Sequence, residues 1–247
     1  MTVTELWLVR HGESVANVAA AQAEAAGQDV IRVAHRDADV PLSELGARQA
    51  EALGTGLADR RVDAVPFAVW ASSYHRAQET IAIALDRAGV HGDMQVDERL
   101  RDRELGVLDL LTAAGVRARF PDEAARRQWL GKYYHRPAGG ESWVDVRLRL
   151  RSVMHDVDRL DGVQRLVVAA HDAVVMLFVA ICLDLDEHAL LDFTKDHTVA
   201  NASLTRLTRA DLGAPWQLEE FSAVGHLTDL DTPVTEHPGD KEHVHAE

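Results

Sequence analysis

Residues 5–17, with the sequence ELWLVRHGESVAN, decide how this chain is expected to fold. The mostly apolar run from Glu5 to Val9 predicts a short strand, and a helix is expected to begin near Ser14. Between them lie Arg10 and His11, two side chains able to carry positive charge, followed by a glycine. In open α/β folds ligands bind at the carboxyl ends of the strands, so this stretch places two functional groups at such an edge.

The rest of the chain alternates apolar strands with amphipathic helices. Further strands are expected near residues 66–71, 94–96, 166–170, 203–208 and 217–221. Helices are expected near residues 14–28, 43–57, 74–85, 110–119, 122–132, 142–160, 173–183 and 187–192, with Ser14, Ser43 and Ser142 as N-caps. This alternation predicts an α/β fold with three layers, α/β/α, in which helices cover both faces of a mostly parallel central sheet.

One domain is expected to cover residues 1–230. Residues 98–141 form its least regular section, which we interpret either as a lid or specificity insertion or as a solvated flap. Six of its basic residues either bind a second anionic group of a ligand or lie on a solvated helix face: Arg117, Arg119, Arg126, Arg127, Lys132 and Arg136. The polar stretch of residues 231–247 is expected to be a poorly ordered tail.

Charge and hydropathy restrict the partners of the chain. The 247 residues carry a formal net charge of -14, which argues against nucleic acid, because phosphate backbones need a basic face. The same charge repels small anions at long range, so an anion site must be a local basic pocket. No apolar run approaches the roughly 18 residues that span a bilayer, and no signal peptide is recognisable. We therefore expect a cytoplasmic protein without a membrane partner, and a homo-oligomer stays open.

Charged side chains follow three of the expected parallel strands. Arg10 and His11 end the first strand, Arg76 lies shortly after the second, and His171 follows the strand that ends at Ala170. Parallel strands present these ends on one edge of the sheet, so the four side chains are expected to lie together. Guanidinium groups bind phosphate oxygens in a bidentate manner, and a neutral imidazole between them can attack phosphorus. The cluster therefore predicts phosphoryl-transfer chemistry, which also needs an acid for the leaving oxygen.

Six sequence motifs resemble one known family, the histidine phosphatase superfamily of phosphoglycerate-mutase-like proteins. Residues 10–17 resemble its R-H-G-x-S/T-x-x-N signature, and residues 41–50 resemble P-L-T-x-x-G-x-x-Q-A. The remaining four matches follow in the order of the family: S-x-x-x-R-A-x-x-T at residues 72–80, G-E-S at residues 140–142, the second-histidine strand at VVAAHDAVV, and N-x-S-x-T at residues 201–205. The resemblance runs from about residue 5 to residue 210 and implies the phosphoglycerate-mutase-like fold.

This resemblance implies a role for each residue of the cluster. His11 would be the phosphorylated nucleophile, and Arg10, Arg76 and His171 would hold the phosphoryl group. Asn17 and Ser14 are expected to help bind phosphate or substrate. The implied mechanism requires neither a metal nor a cofactor. Outside this cluster, His75 either borders the site or lies on a helix surface, and four histidines without ligand-like spacing are expected on the surface: His35, His91, His135 and His197.

The proton donor is where the chain departs from the family pattern. The family carries a glutamate in a stretch like L-x-E-x-x-x-G, and residues 100–106, LRDRELG, place Asp102 there. Glu104 lies two residues further on and is an alternative. The family's second histidine is usually followed by glycine, whereas here Asp172 follows, as in the branch in which that aspartate donates the proton. Asp172 is otherwise interpreted as the N-cap of a helix that begins at Ala173. Asp102 is the preferred donor.

The leading functional hypothesis is a phosphomonoesterase that acts through a phosphohistidine on a small phosphorylated metabolite. A phosphoglycerate mutase is the alternative, although mutases of the family typically carry tryptophan where this chain has Ala16, and L-N-E-R-x-Y-G where it has LRDRELG. A third hypothesis is a degenerate member that binds phosphorylated ligands or a protein partner without turnover. The presence of all four residues of the cluster argues against this third hypothesis.

Overall fold

The computed structural model describes residues 2–236. Six strands lie in this part of the chain: β1 Glu5–Arg10, β2 Phe67–Ser72, β3 Met94–Asp97, β4 Arg165–Ala170, β5 Leu204–Thr208 and β6 Gln217–Ala223. The same part contains nine α-helices: α1 Val15–Ala25, α2 Glu44–Asp59, α3 His75–Ala88, α4 Ala113–Arg119, α5 Pro121–Tyr134, α6 Trp143–Val157, α7 Asp172–Cys182, α8 Glu187–Asp196 and α9 Gly225–Thr228. Short 3-10 turns cover Asp37–Asp39, Glu98–Leu100 and Gly106–Leu108.

The strands form one sheet in the order β3-β2-β4-β1-β5-β6. Strands β3, β2, β4 and β1 pair in parallel, whereas β5 and β6 extend the sheet in antiparallel fashion. The expected mostly parallel sheet is therefore confirmed. Because the first four strands point the same way, their carboxyl ends lie along one edge.

Helices cover both faces of the sheet. Leu6 and Leu8 point to a core shared with α6 and α7, which includes Phe178. Trp7 and Val9, the alternate residues of the same strand, point to a second core shared with α2 and α3. This alternation follows from the two-residue period of a strand, and it produces the three predicted layers. No helix in residues 2–236 is long and apolar enough to cross a membrane.

Serine N-caps set the beginnings of three helices as predicted. Ser14, Ser43 and Ser142 each accept a hydrogen bond from a backbone amide in the first turn of α1, α2 and α6. Two of these helices end earlier than expected. Helix α1 ends at Ala25 rather than near residue 28, and α6 ends at Val157 rather than Leu160. A reversal of the chain after α1 includes Gly27, whose φ of 61° suits glycine.

Two predictions about single residues are wrong. Helix α7 begins at Asp172 itself with His171 at its N-cap position, so Asp172 is not the N-cap. His135 was expected on the surface, yet it is buried, and its Nε2 lies 3.0 Å from Oε2 of Glu123. His135 directly follows α5. Its burial shows that this end of residues 98–141 packs against the rest of the domain.

The expected tail is in part attached to the domain. Thr235 accepts a hydrogen bond from Nε2 of Gln49 and donates one to Oδ1 of Asn201. The carbonyl oxygen of Pro233 accepts a second bond from Gln49. Residues 231–236 thus lie against α2, through Gln49, and against the turn that contains Asn201. The rest of the expected tail, residues 237–247, lies outside the described residues.

Candidate active site

The parallel strands bring the four predicted residues of the phosphoryl cluster to one place. Arg10 ends β1 opposite Ala170 of β4, and the backbone amide of His11 donates a 3.0 Å hydrogen bond to Ala170. His171 follows β4 directly, and Arg76 lies in the first turn of α3, just after β2. The four side chains are buried. The convergence expected from the strand ends is therefore what the structure shows.

The orientation of His11 leaves one ring nitrogen available as a nucleophile. Nδ1 lies 2.7 Å from the carbonyl oxygen of Gly12, so Nδ1 carries the proton and donates it to this acceptor. Nε2 therefore holds a lone pair, which accepts a 3.3 Å hydrogen bond from Nε of Arg76. Burial, together with the positive charges of Arg76 and Arg10 and the neighbouring His171, holds the pKa of His11 well below 6.5. The imidazole is thus neutral at physiological pH.

The turn that carries His11 is held by three motifs from elsewhere in the chain. The amide of Gly12 donates to Oγ1 of Thr80 at 3.0 Å, and the amide of Glu13 donates to Oε1 of Gln49 at 2.8 Å. The side-chain amide of Asn201 donates to the carbonyl oxygen of His11 at 3.0 Å. Thr80, Gln49 and Asn201 belong to the quoted family motifs, but the sequence by itself assigned them no role. The structure shows that they hold the backbone of the turn around His11.

Glycine is required at the R-H-G turn by close packing. A Cβ atom at Gly12 would lie 2.5 Å from the carbonyl oxygen of Gly46 in α2, which is closer than such contacts allow. A Cβ atom at Gly46 would in turn lie 1.9 Å from the carbonyl oxygen of Glu13. The glycines of two separate motifs therefore permit one backbone contact between the turn and α2.

Arg76 is oriented by two carboxylates. Its Nη1 donates to the carbonyl oxygen of Asp37 at 2.8 Å and to Oδ1 of the same residue at 2.9 Å. Its Nη2 donates to Oδ2 of Asp102 at 3.1 Å. Asp37 was missed by the sequence analysis, because residues 30–40 carry charge without a regular pattern. The sequence contained only a weak indication of this contact, because Asp37 is an acidic residue shortly before the P-L-S motif.

His171 connects β2 to the proposed donor loop. Its Nε2 lies 2.9 Å from Oγ of Ser72, and its Nδ1 lies 3.3 Å from Oδ2 of Asp102, an ion-pair distance without regular hydrogen-bond geometry. The rings of His11 and His171 meet edge to face with centroids 5.2 Å apart. Burial lowers the pKa of His171, although Asp102 opposes this shift.

Asp102 is the candidate donor that contacts the cluster. Burial would raise the pKa of its carboxyl group, but His171 and the permanently charged Arg76 outweigh burial and hold the pKa well below 3.8. Without a bound phosphoryl group, Asp102 is therefore a carboxylate that bridges Arg76 and His171. A phosphoryl dianion that binds Arg76 and His171 in place of Asp102 would raise the pKa of Asp102 toward the protonated form.

The two alternative donors have other partners. Oδ1 of Asp172 accepts a 2.6 Å hydrogen bond from the amide of Ala173, and its carboxylate favours the charged form of Arg10. Glu104 accepts a 2.9 Å hydrogen bond from the hydroxyl group of Tyr74 and lies 3.7 Å from Nε of Arg101. These contacts leave Asp102 as our preferred donor, and its role remains a prediction.

Ser14 and Asn17, the two predicted phosphate-binding helpers, form a capping box. The backbone amide and the hydroxyl group of Ser14 donate to Oδ1 of Asn17, at 3.0 and 3.1 Å. The amide of Asn17 donates back to Oγ of Ser14 at 3.1 Å. These bonds fix the start of α1 next to the R-H-G turn. Binding of phosphate by either side chain remains a prediction.

The cluster also has the donor types of a metal site. His11, Asp102 and His171 each offer a ligand atom, and these atoms lie within 4.8 Å of one another. The guanidinium groups of Arg10 and Arg76 adjoin the same space, so a dianion is favoured there over a cation on electrostatic grounds. The arrangement is best suited to a phosphoryl group surrounded by two arginines and two imidazoles.

Comparison with known proteins places this site in a family. Residues 6–222 match the profile described as the histidine phosphatase superfamily (branch 1). The chain is 33% identical over 186 residues to 2,3-bisphosphoglycerate-dependent phosphoglycerate mutase 2 of Gloeobacter violaceus, covering 73% of this chain and 75% of that relative. It is 31% identical over 242 residues to glucosyl-3-phosphoglycerate phosphatase of Mycolicibacterium vanbaalenii, covering 90% of this chain and 96% of that relative.

A solved structure gives the same result. The mycobacterial glucosyl-3-phosphoglycerate phosphatase in complex with VO3 superimposes with a TM-score of 0.70 at 28% sequence identity, covering 90% of this chain and 100% of that one. These matches confirm the family resemblance, the fold class and the phosphatase class of enzyme expected from the motifs.

Proposed function

This chain belongs to the histidine phosphatase superfamily, and we propose that it hydrolyses phosphate monoesters of small metabolites through a phosphohistidine formed on His11. The observation that carries the proposal is the state of the His11 ring. Its Nδ1 proton is committed to the carbonyl oxygen of Gly12, and its Nε2 lone pair lies beside Nε of Arg76. A neutral imidazole with one fixed lone pair next to a guanidinium group is what attack on a phosphoryl group requires.

In the first step Nε2 of His11 forms a bond to phosphorus while the bond from phosphorus to the ester oxygen breaks. Arg10, Arg76 and His171 stabilise the negative charge on the three remaining phosphoryl oxygens. Protonated Asp102 gives its proton to the departing oxygen, which leaves as an alcohol. Asp102 is protonated at this stage because the phosphoryl dianion takes over Arg76 and His171, the partners that keep it ionised in the free protein.

In the second step water replaces the alcohol. The Asp102 carboxylate accepts a proton from this water, whose oxygen forms a bond to phosphorus as the bond from phosphorus to Nε2 of His11 breaks. The products are inorganic phosphate, neutral His11 and a protonated Asp102. One carboxyl group thus acts as acid and then as base, and its contact with both Arg76 and His171 supports this assignment.

The test of this proposal is phosphate release and covalent labelling. We expect the protein to release phosphate from p-nitrophenyl phosphate and to retain acid-labile radiolabelled phosphate after rapid mixing with a labelled ester. His11→Ala should abolish both signals, with a loss of activity of about 10⁴-fold or more. His75→Ala is the matched control, because His75 lies one residue before Arg76 with an exposed ring that pairs with Glu79. Equal activity in the His11→Ala variant would contradict the proposal.

A phosphoglycerate mutase is the second candidate function. It is favoured by the 33% identity to a relative of that name. Incubation with 3-phosphoglycerate, with and without 2,3-bisphosphoglycerate, separates the two activities. Isomerisation would favour the mutase, and free phosphate would favour the phosphatase. Failure to form any phosphohistidine would favour a degenerate binding protein.

A further inference from the structure

The segment that follows α9 reaches back to the turn that carries His11. The carbonyl oxygen of Pro233 and the hydroxyl oxygen of Thr235 accept hydrogen bonds from Nε2 of Gln49, at 2.9 and 3.0 Å. The same hydroxyl group donates to Oδ1 of Asn201 at 3.1 Å. The backbone amide of Asn201 donates to the carbonyl oxygen of Thr235 at 3.0 Å. One hydroxyl group thus joins two side chains that hold the turn, and we call residues 233–235 the C-terminal clasp.

The clasp determines which end of each side-chain amide faces the turn. A primary amide carries an acceptor oxygen at one end and a donor nitrogen at the other. Because the clasp binds the nitrogen of Gln49, its Oε1 faces the backbone amide of Glu13 at 2.8 Å. Because Thr235 donates to the oxygen of Asn201, Nδ2 faces the carbonyl oxygen of His11 at 3.0 Å. Both amides are fully buried, so an end-for-end rotation would set donor against donor and acceptor against acceptor.

The bond from Gln49 sets the peptide plane that faces the His11 ring. The carbonyl group of Gly12 and the amide of Glu13 belong to one planar trans peptide unit, and Gln49 holds that plane by its N–H end. The carbonyl oxygen at the other end of this plane accepts the Nδ1 proton of His11 at 2.7 Å. The direction of this carbonyl group therefore depends on Gln49, whose own orientation depends on the clasp.

The clasp lies at the surface of the domain rather than in its core. Pro233 is exposed, Val234 is 40% exposed, and Thr235 is half-buried. Within residues 2–236, the apolar clusters that form the cores contain no residue of the clasp. The clasp thus adds little buried apolar surface to the domain, and its contacts are concentrated on the two amides that hold the turn.

We propose that Thr235 is a positioning residue for the nucleophile, which acts through Gln49 and Asn201 on the backbone that holds the His11 ring. The inference rests on the proposed function and extends it to a residue beyond positions 6–222, the part that the family profile matches. Without the hydroxyl group of Thr235, both amides lose a partner and the carbonyl group of Gly12 is held less firmly. The ring proton then divides between Nδ1 and Nε2, and only the form protonated at Nδ1 has a lone pair at Nε2 for attack.

The variants Thr235→Val and Thr235→Ser, made in the full chain, test the proposal. Valine keeps the shape of threonine without the hydroxyl group, whereas serine keeps the hydroxyl group. We expect Thr235→Val to slow the formation of phosphohistidine from p-nitrophenyl phosphate by about tenfold in rapid-mixing experiments, because the attacking nitrogen is less well oriented. Thr235→Ser should retain most of the original rate. Thr232→Val is the matched control, because the hydroxyl group of Thr232 donates only within its own segment, to the carbonyl oxygen of Leu230.

The tautomer of His11 provides a measurement that does not depend on turnover. In protein labelled with ¹⁵N-histidine, the ring signals of His11 are identified by their loss in His11→Ala, and their shifts report which nitrogen carries the proton. At neutral pH we expect a proton on Nδ1 in the original protein and in Thr235→Ser, and a mixture of both tautomers in Thr235→Val. A residue that only stabilises the fold would lower the Tm of Thr235→Val without producing this mixture.

The outcomes separate this inference from the proposed function. Slower phosphorylation together with a mixed tautomer in Thr235→Val, both reversed in Thr235→Ser, supports the inference. An unchanged rate of phosphorylation or an unchanged tautomer in Thr235→Val overturns it, while the proposed function stands. If the original protein forms no phosphohistidine, the proposed function is overturned, and the tautomer alone then decides whether Thr235 positions the ring.

Discussion

The two sides of the candidate active site are held in different ways. On the phosphoryl side, Arg10, His11 and His171 end or follow strands of the sheet, and backbone hydrogen bonds fix their positions. On the alcohol side, Asp102 and Glu104 lie on an irregular connection after β3, and side chains from α6 and the segment before it hold them. The sheet therefore positions the proposed nucleophile and its partners, whereas the connection after β3 positions the proposed proton donor.

Arg149 and Glu141 are the residues that hold the alcohol side. Nη2 of Arg149 donates to the carbonyl oxygen of Asp102 at 3.1 Å and also to Oε2 of Glu141 at 3.1 Å. Oε1 of Glu141 accepts a 2.7 Å bond from Arg101, and Oε2 accepts a 3.2 Å bond from the amide of Glu104. Glu141 of the G-E-S motif thus holds the loop that carries the proposed donor. The difference teaches that backbone hydrogen bonds of the sheet hold one side of the site, whereas side-chain contacts between separate segments hold the other.

The largest effect is expected from a substitution at Asp102, the proposed proton donor. Asp102→Asn should lower the turnover of an alkyl phosphate by about 10²- to 10⁴-fold, because the alkoxide then leaves without a proton. Turnover of p-nitrophenyl phosphate should change little, since its leaving group is stable as an anion. Steady-state assays on both esters measure the split.

Two variants serve as controls for this prediction. Glu104→Gln and Asp172→Asn remove the alternative donors and should keep most of the alkyl phosphatase activity. Near-full turnover of the alkyl ester by Asp102→Asn would show that the proton comes from elsewhere. A loss confined to one of the control variants would identify that residue as the donor.

A smaller effect is expected from the residue that positions the donor loop. Arg149→Met keeps the aliphatic stem but removes the bonds to Asp102 and Glu141, so we expect about a tenfold loss of turnover on the alkyl ester. The p-nitrophenyl ester should be affected less, which separates loss of donor placement from general misfolding. Arg151→Met, an exposed change on the same helix, is the control. Equal losses on both esters would contradict a positioning role.

The smallest expected effect concerns how activity depends on pH through the protonation of His11. The nucleophile must be neutral, and burial with three neighbouring cationic or imidazole groups lowers the pKa of His11 well below 6.5. The value of kcat/KM should therefore be maintained as the pH drops below 6.5. It should fall only as the pH passes through the lowered pKa of His11. A pH profile of p-nitrophenyl phosphate hydrolysis measures it. An acid limb at or above pH 6.5 would mean that the cationic environment does not act on His11 as described.

Local pattern was enough to predict much of the fold. The apolar run of residues 6–9 predicted a strand, and the serine caps marked the helix starts that the structure confirms. Parallel strands then required Arg10, Arg76 and His171 to meet at one edge, as they do. These predictions succeeded because period and capping depend on neighbouring residues in the chain.

Contacts between distant segments were not predictable in the same way. Asp37 binds Arg76 across 39 positions of sequence, and nothing in the irregular residues 30–40 marks that contact. The burial of His135 depends on how the end of α5 packs, which its spacing does not encode. The alternative interpretation of Asp172 as an N-cap was wrong by one residue, because the helix already includes Asp172 and His171 takes the N-cap position.

The sequence by itself determined the family and the layered fold, and it predicted His11 as the nucleophile together with the residues that lie around it. Those features depend on strand period, turn glycines and motif order, which are properties of the chain as written. Only the tertiary structure decided the tautomer of His11, the contact of Asp37 with Arg76, and the bridge from Asp102 to Arg76 and His171. These depend on distances between side chains from separate elements, because charge and hydrogen-bond energies are set by separation and burial rather than by residue order.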